Sequence, residues 1–315
     1  MILNELSMDC GGKTIVEVNG AMSKFLQVCH EISNKRNDKD FYYTIDFLES
    51  KFIKGYGIFD WLKDSDASHK EKAYLRTIIN RKQIIDNRQY MGSEMTVNVN
   101  GIEENAMGCL AAYEADECVV SMSTNSCWDD EIIVAKYISV SEETQELYEK
   151  EVEVGNCSCL EHVEHLVEEE RELEVRMVSS GTELWEKRES IYPHLVFCDS
   201  VKKQLLNVNN SLQVKMIKKR LGILEKYFAT YKGNFKKEDM GYGCREESES
   251  VANNKELRGM RTFTSPYGEE EFFSWHISFA GDFPGRIHFL PDAERKVGII
   301  GYVGKHLPTS RYSTI

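Results

Sequence analysis

The sequence lacks any run of eighteen or more apolar residues, so nothing in it predicts a transmembrane helix. Its first residues also lack the basic and then apolar layout of a secretory signal. The nine cysteines are an odd number, scattered through a 315-residue chain that is too large to need a disulfide framework. These absences predict a cytoplasmic protein without membrane contact, in which most cysteines are small buried hydrophobic residues.

Phosphate-binding loops are missing as well. The glycines at positions 11, 12, 55 and 57 fit neither pattern, because GxxxxGK[ST] and GxGxxG do not occur. No Ser, His and acid grouping with a nucleophile elbow is visible. The sequence therefore predicts no nucleotide hydrolysis and no nucleotide or other cofactor.

Negative charge is what the sequence has in excess, with a formal net charge of −13. From residue 255 onward the charges nearly cancel, and every charged side chain after Glu294 is basic. The first 254 residues therefore carry a net charge of about −14. Phosphate binding draws its affinity from Lys and Arg, so this asymmetry separates an acidic body from a tail with a locally basic edge.

The pattern of apolar residues predicts an α+β fold. Residues 94–140 alternate as in three or four strands, whereas residues 20–34, 68–79, 160–176 and 201–230 have helical spacing, and a charged helix-like tract begins at Ser141. Residues 232–256 are polar and contain three glycines. We expect a large mixed α+β domain at residues 1–231, a polar linker at 232–256, and a small antiparallel β-rich domain at 257–315.

Turn residues divide the tail into four strand-like runs, which together predict a four-stranded antiparallel meander. The runs are Arg261 to Thr264, Glu271 to Phe279, Gly285 to Leu290 and Lys296 to Val303. A sheet this small needs cover from a helix or from the larger portion of the chain.

The tail also carries a short motif. It consists of GRIHF, an acidic turn, a β-branched run ending in GYVGKH, and a tyrosine six residues after that histidine. This pattern resembles the C-terminal half of RelE-like toxin ribonucleases, over about forty residues. The resemblance implies a RelE-like fold, preceded by helices for which residues 201–230 are available. It also implies phosphate-binding and catalytic roles for Arg286, His306 and Tyr312, with His276 in place of the lysines that the family carries on an earlier strand.

Those residue types suit RNA cleavage without a metal. The adjacent 2′-hydroxyl is the nucleophile, so the protein must remove its proton, stabilise the phosphate and protonate the leaving oxygen. A histidine such as His306 can act as an acid or a base, Arg286 has a planar fork for phosphate oxygens, and Tyr312 can donate a hydrogen bond or stack on a base. Three further residues complete the predicted RNA-binding set, namely His288, Lys305 and Arg311.

Several of these residues also have a purely structural explanation. A histidine on a strand is often a hydrogen-bonded structural residue, Arg286 has Asp282 and Glu294 as nearby ion-pair partners, and Tyr312 lies in a terminus of the kind that frays.

Two groups of residues contain side chains of the types that bind metal ions. Cys157, Cys159, His162 and His165 contain zinc-ligand types at a spacing that does not match a standard site, and Asp129, Asp130 and Glu131 could hold magnesium but also fit a turn. The sequence therefore predicts no metal site.

The combined prediction is an RNA-cleaving effector of the toxin or anti-phage type, restrained by the acidic N-terminal domain. The segments LNELS and ELWEKRESIYPHLVFC resemble uncharacterised bacterial proteins from defence-type loci. The expected partners are RNA, free or ribosome-bound, and a protein regulator or antitoxin. The alternative is a non-catalytic module that binds protein or nucleic acid.

Overall fold

The computed structural model describes residues 1–36, 39–85, 90, 92–140, 147–166, 175, 177–240, 243–279 and 285–309. The chain has two compact units. Unit 1 comprises residues 1–87 and 92–168, and unit 2 comprises residues 88–91 and 169–315. Both contain helices and strands, so the predicted α+β class is confirmed. The predicted boundary at residue 231 falls inside unit 2.

Unit 1 is built on a six-stranded sheet in the order β1-β8-β10-β9-β6-β7. The two pairings of β8 are parallel and the other three are antiparallel. Two further pairs, β2 with β5 and β3 with β4, lie outside this sheet. The strands of unit 1 are β1 (Ile2–Leu3), β2 (Tyr43–Thr44), β3 (Lys51–Ile53), β4 (Tyr56–Gly57), β5 (Ile84–Ile85), β6 (Ser93–Val99), β7 (Ile102–Asn105), β8 (Val119–Val120), β9 (Ile132–Val140) and β10 (Leu147–Cys157).

The helices of unit 1 cover that sheet and close its core. They are α1 (Ile15–Arg36), α2 (Ile58–Lys63), α3 (His69–Ile79), α4 (Met107–Ala115) and α5 (Leu160–Glu164). The buried face of α1 carries Met22, Phe25, Leu26 and Cys29, which belong to the same apolar core as the sheet residue Val120. The 3/4 spacing that predicted this helix is therefore the spacing of its core contacts.

One prediction in unit 1 is wrong. The charged tract after Ser141 was expected to be helical, but residues Leu147–Cys157 form the long strand β10, paired antiparallel with β9. Val152, Val154 and Asn156 are buried while Glu151, Glu153 and Gly155 are exposed, which is the period of a strand. Much of the predicted helix over 160–176 lies outside the described residues, and the described part, α5, ends at Glu164.

Unit 2 is built on a five-stranded sheet in the order β11-β17-β16-β15-β12. Strand β11 pairs parallel with β17, and the remaining pairings are antiparallel. The strands of unit 2 are β11 (Leu195–Phe197), β12 (Cys244–Glu246), β13 (Thr262–Thr264), β14 (Glu270–Phe272), β15 (Trp275–Phe279), β16 (Gly285–Asp292) and β17 (Val297–Lys305). Its helices are α6 (Gly181–Ile191), α7 (Asp199–Leu206), α8 (Ser211–Phe228), α9 (Glu249–Ala252) and α10 (Lys255–Gly259).

The tail differs from the predicted four-stranded meander. Three strands, β15 to β17, form a meander, but the first predicted strand pairs only with β14 in a separate hairpin. The run predicted as one strand from Glu271 to Phe279 is interrupted at Phe273 and Ser274. There, the Phe273 amide donates to the Arg261 carbonyl and the Ser274 carbonyl accepts from the Glu247 amide.

The predicted linker and the region before it also supply strands to this sheet. Strand β12, from within residues 232–256, forms one edge, and β11 forms the other. A short edge strand needs few apolar residues because one side of it faces solvent, which explains why the polar composition concealed β12. The C-terminal sheet is thus assembled from residues 195–305 rather than from 257 onward.

Candidate functional site

One face of the unit 2 sheet packs against a helix through aromatic residues, whereas the other carries histidine and arginine side chains. Phe289 packs against Phe228 of α8, with ring centroids 6.1 Å apart. Side chains alternate along a strand, so Arg286 and His288 of β16 lie on the opposite face. On that face His288 lies directly opposite His276 of β15 in the strand register, and their ring centroids are 5.2 Å apart.

An ion pair from outside the meander lies over this second face. Glu247 follows β12, and its Oε1 accepts a hydrogen bond of 2.6 Å from Nε of Arg261. The Arg261 side chain is only 1% exposed, and its other nitrogens donate to the carbonyls of Leu257 at 3.1 Å and Leu307 at 3.3 Å. The guanidinium thereby connects three segments of unit 2. We call Glu247, Arg261, His276, Arg286 and His288 the histidine cluster.

The Glu247 carboxylate approaches both imidazoles. Its Oε1 lies 3.8 Å from Nδ1 of His276 and 4.0 Å from Nδ1 of His288, beyond hydrogen-bonding distance in each case. Nδ1 of His288 is 3.2 Å from the Phe273 carbonyl, which can only accept, so this nitrogen carries the proton. Nε2 of His288 and Nδ1 of His276 are buried without a hydrogen-bond partner.

Burial controls the protonation of these rings. His276 and His288 are 8% and 1% exposed. Desolvation, reinforced by each ring's charged neighbours, lowers the pKa of His276 well below its usual value and lowers the pKa of His288 to about 3. Both imidazoles are therefore neutral near pH 7, and each can offer a lone pair but no positive charge.

Two more of the predicted site residues, Lys305 and His306, lie at and just after the end of β17. His306 is partly buried, and its charge contributes to the lowered pKa values of His276 and His288. Lys305 is exposed. Arg286 is buried, and Nη1 donates to the carbonyl of Gly285 at 3.0 Å. Arg311 and Tyr312 lie outside the described residues.

The structure thus brings together three residues that the sequence selected, His276, Arg286 and His288, with His306 close enough to influence them. It also adds Glu247 and Arg261, which sequence reasoning missed. Glu247 stands in a polar stretch interpreted as a linker, and Arg261 was counted only as the start of a strand. No local pattern marks either residue, because their partners are distant in the sequence.

The alternative metal sites do not assemble from the described residues. Sγ of Cys157 lies 3.8 Å from Sγ of Cys118, the residue just before the neighbouring strand β8. His165 is hydrogen-bonded to Glu131. Asp129 accepts a hydrogen bond from the hydroxyl of Ser123 at 2.6 Å, as in an ordered turn. Each of these groups has a structural partner, and the cysteine is buried.

The Gly12-Lys13-Thr14 segment precedes α1, where a phosphate loop would stand. There the helix N-terminus is already capped, because Glu17 Oε2 accepts hydrogen bonds from the amide and the hydroxyl of Thr14, each at 2.8 Å. This is a capping box, in which a carboxylate of the chain itself takes the place that an anion would occupy.

Comparison of the chain with protein-family models, with curated proteins and with solved structures found no match. In the part of the chain that the structure describes, no helix combines the length and the apolar character needed to cross a membrane.

Proposed function

We propose that unit 2 is a metal-independent endoribonuclease of the RelE-like type, and that the protein acts as an RNA-cleaving effector. The observation that supports this most is the arrangement of His276, Arg286 and His288 on one face of the meander, next to His306. The helices α7 and α8 precede the meander, as the resemblance implies, and α8 packs on the opposite face through Phe228.

The protonation states divide the proposed roles. Burial lowers the pKa of both His276 and His288 far enough that the rings are neutral at pH 7, so neither can protonate the leaving 5′ oxygen. That role belongs to His306 or Tyr312. Arg286 would bind the phosphate through its guanidinium, and Lys305, His288 and Arg311 would complete the RNA contacts.

Burial of the face constrains this mechanism. Arg286 and His288 are 5% and 1% exposed, because the 247–274 segment lies over them through Glu247, Arg261 and Phe273. RNA would reach these side chains only after that segment moves. Cleavage is therefore expected to be slow on free RNA and faster on a docked substrate such as a translating ribosome. The acidic N-terminal unit is the proposed source of further restraint.

The test is an incubation of the purified full chain with RNA and with a translating extract, each with and without EDTA. We expect EDTA-resistant cleavage that leaves 2′,3′-cyclic phosphate ends, since the 2′-hydroxyl is the nucleophile. A substrate with 2′-O-methyl groups should stay intact. His306→Ala and Tyr312→Phe should lower the cleavage rate by about 100-fold or more, the scale expected for loss of an acid or base.

His194→Gln is the matched control. It removes another partly buried histidine of unit 2, located just before the edge strand β11. Nδ1 of His194 lies 2.8 Å from Oε1 of Glu225. Cleavage should be unchanged in this variant. Absence of cleavage in every condition, or cleavage that survives in both His306→Ala and Tyr312→Phe, would exclude the proposal.

A second candidate function is favoured by the same burial. If the histidine cluster serves only to hold the 247–274 segment on the sheet, unit 2 is a non-catalytic binding module. In that case wild type and His306→Ala would bind RNA or a protein partner equally and cleave neither RNA nor ribosome-bound message.

A further inference from the structure

We propose that Glu247, His276 and His288 form a binding site for a divalent first-row transition metal ion, of which Zn²⁺ is the practical probe. One ligand atom from each of these residues lies within 4.8 Å of the other two. Two imidazoles and one carboxylate are a ligand set that suits zinc and its neighbours in the series. The site shares His276 and His288 with the face of the proposed ribonuclease, although the proposed cleavage chemistry itself needs no metal.

The spacing is close to what a bound ion requires. Ligands at 2.0–2.1 Å in a tetrahedral site stand about 3.3 Å from each other. Oε1 of Glu247 lies 3.8 Å from Nδ1 of His276, about half an ångström beyond that spacing. The ligand atoms offered by all three residues lie within 4.8 Å of one another. Side-chain rotation that shortens these separations by about 0.5–1.5 Å brings the three groups to ligand distance. His276 and His288 are cross-strand partners, so the sheet already fixes two of the three positions.

Unsatisfied buried nitrogens give an independent reason for a ligand. Nδ1 of His276 and Nε2 of His288 have no hydrogen-bond partner, although both rings are more than nine-tenths buried. A buried polar atom without a partner costs about 1–3 kcal/mol, and a metal ion would accept its lone pair.

The surroundings supply the outer contacts of a metal site. His288 donates Nδ1–H to the Phe273 carbonyl, which fixes the ring and leaves Nε2 as the ligand atom. Arg261 holds one oxygen of Glu247 at 2.6 Å, and a carboxylate has lone pairs left for a metal. These contacts are of the kind that orients ligating histidines and carboxylates in general.

The two arginines of the cluster limit the affinity. Arg261 and Arg286 are both positive and both lower the pKa of His288, so they also repel a dication. Glu247 offsets only one of these charges. We therefore expect weaker Zn²⁺ binding than in a site without arginines, and tighter binding once a positive charge is removed.

The ion would link the 247–274 segment to the sheet of unit 2. It would connect Glu247, just after β12, to the centre of the sheet at β15 and β16, and so hold the 247–274 segment over the face that carries Arg286. Removing it should loosen this cover without removing any group that cleaves RNA.

The experiment measures metal binding to the full chain in the absence of RNA. Zn²⁺ titration followed by calorimetry should give one site that is weakened by about 100-fold or more in Glu247→Gln and in His288→Gln, beyond the effect of losing an outer contact. His194→Gln, which keeps the whole site, should bind as wild type. Arg286→Gln should bind Zn²⁺ more tightly, and unchanged affinity there would place the ion elsewhere.

Co²⁺ substitution tests the wild-type chain directly, so the result does not depend on the folding of a variant. A Co²⁺ complex at this site should show ligand-field bands in the visible range without a thiolate charge-transfer band, because no cysteine belongs to the site. A thiolate band, or Zn²⁺ affinity that is equal in Glu247→Gln and wild type, would overturn the proposal. Neither readout involves RNA, so failure of the metal site leaves the ribonuclease test unaffected.

Discussion

One buried polar cluster in each unit shows a different composition. In unit 1, Asn4, Ser121 and Asn156 form a neutral cluster in which the Ser121 hydroxyl accepts from Asn4 at 2.9 Å and donates to Asn156 at 2.7 Å. Nδ2 of Asn156 also donates to the carbonyls of Trp128 and Asp130 at 2.9 and 2.7 Å. One atom of this amide cluster, Oδ1 of Asn4, has no hydrogen-bond partner.

The histidine cluster of unit 2 consists instead of ionisable side chains, with unpartnered nitrogens on both rings. A neutral network that is almost fully hydrogen-bonded fixes strands at modest energetic cost, whereas buried ionisable groups are costly to keep. The difference favours a structural role for the first cluster and is one reason for proposing a function for the second.

The largest expected effect comes from breaking the ion pair of the histidine cluster. Arg261→Met leaves Glu247 buried without its partner and should lower the free energy of unfolding by about 3–5 kcal/mol. Urea denaturation followed by tryptophan fluorescence, to which Trp275 beside the cluster contributes, measures this. Combining it with Glu247→Met should restore much of the loss, because no uncompensated charge remains.

Lys136→Met provides the surface control for that variant. Its ammonium is 4.0 Å from Glu149 and both side chains are about half exposed, so the free energy of unfolding should not change measurably. An equal loss in Arg261→Met and Lys136→Met would remove the contrast between buried and exposed pairs.

The next effect is a pH dependence of unit 2 in the metal-free protein. The folded-state pKa of His288 is about 3, below the unfolded value near 6.5, so below pH 6.5 the unfolded chain binds a proton that the folded chain does not. Stability should therefore fall as the pH decreases from 7 to 5, by about 2 kcal/mol for this group. His276 adds to the change in the same direction.

Urea denaturation at pH 7 and pH 5 checks this sign, with His288→Gln as the comparison. The variant should lose less stability than wild type over the same interval. A proton-binding imidazole, seen as an NMR titration of His288 near pH 6.5, would contradict the proposed neutral cluster.

A smaller loss is expected from the amide cluster. Ser121→Ala removes the hydroxyl between Asn4 and Asn156 and should cost about 1–2 kcal/mol, as for buried polar groups left without a partner. The cost should be independent of pH between 5 and 7, because no member ionises. Ser123→Ala, on the exposed turn with Asp129, should be close to neutral. A pH-dependent loss in Ser121→Ala would break the distinction between the two clusters.

The smallest effect on stability is expected at Lys305, which is exposed at the end of β17. Lys305→Ala should change the free energy of unfolding by less than about 0.5 kcal/mol. If unit 2 binds RNA there, the variant should bind RNA more weakly at low salt and with a shallower salt dependence. Filter binding over a range of salt concentrations measures both quantities. RNA affinity equal to wild type at every salt concentration would remove Lys305 from the proposed RNA contacts.

Local sequence patterns were sufficient for several elements. The 3/4 spacing of Met22, Phe25, Leu26 and Cys29 is that of the buried face of α1, and the turns around Gly285 and Pro291 mark where β16 begins and ends closely enough to place Arg286 and His288 on one face. These features depend on neighbours within one or two turns or one strand, so the sequence carries them directly.

Tertiary structure decided what those elements do together. Strand β12 was concealed in a polar stretch because an edge strand needs little apolar surface, and β10 was mistaken for a helix because its exposed glutamates have good helix propensity. The sequence by itself determined that a histidine and an arginine share one face of β16. Only the fold decided that Glu247 and Arg261, distant along the chain, would cover that face, bury both imidazoles and keep them neutral, because desolvation depends on the packing around a group rather than on its neighbours in sequence.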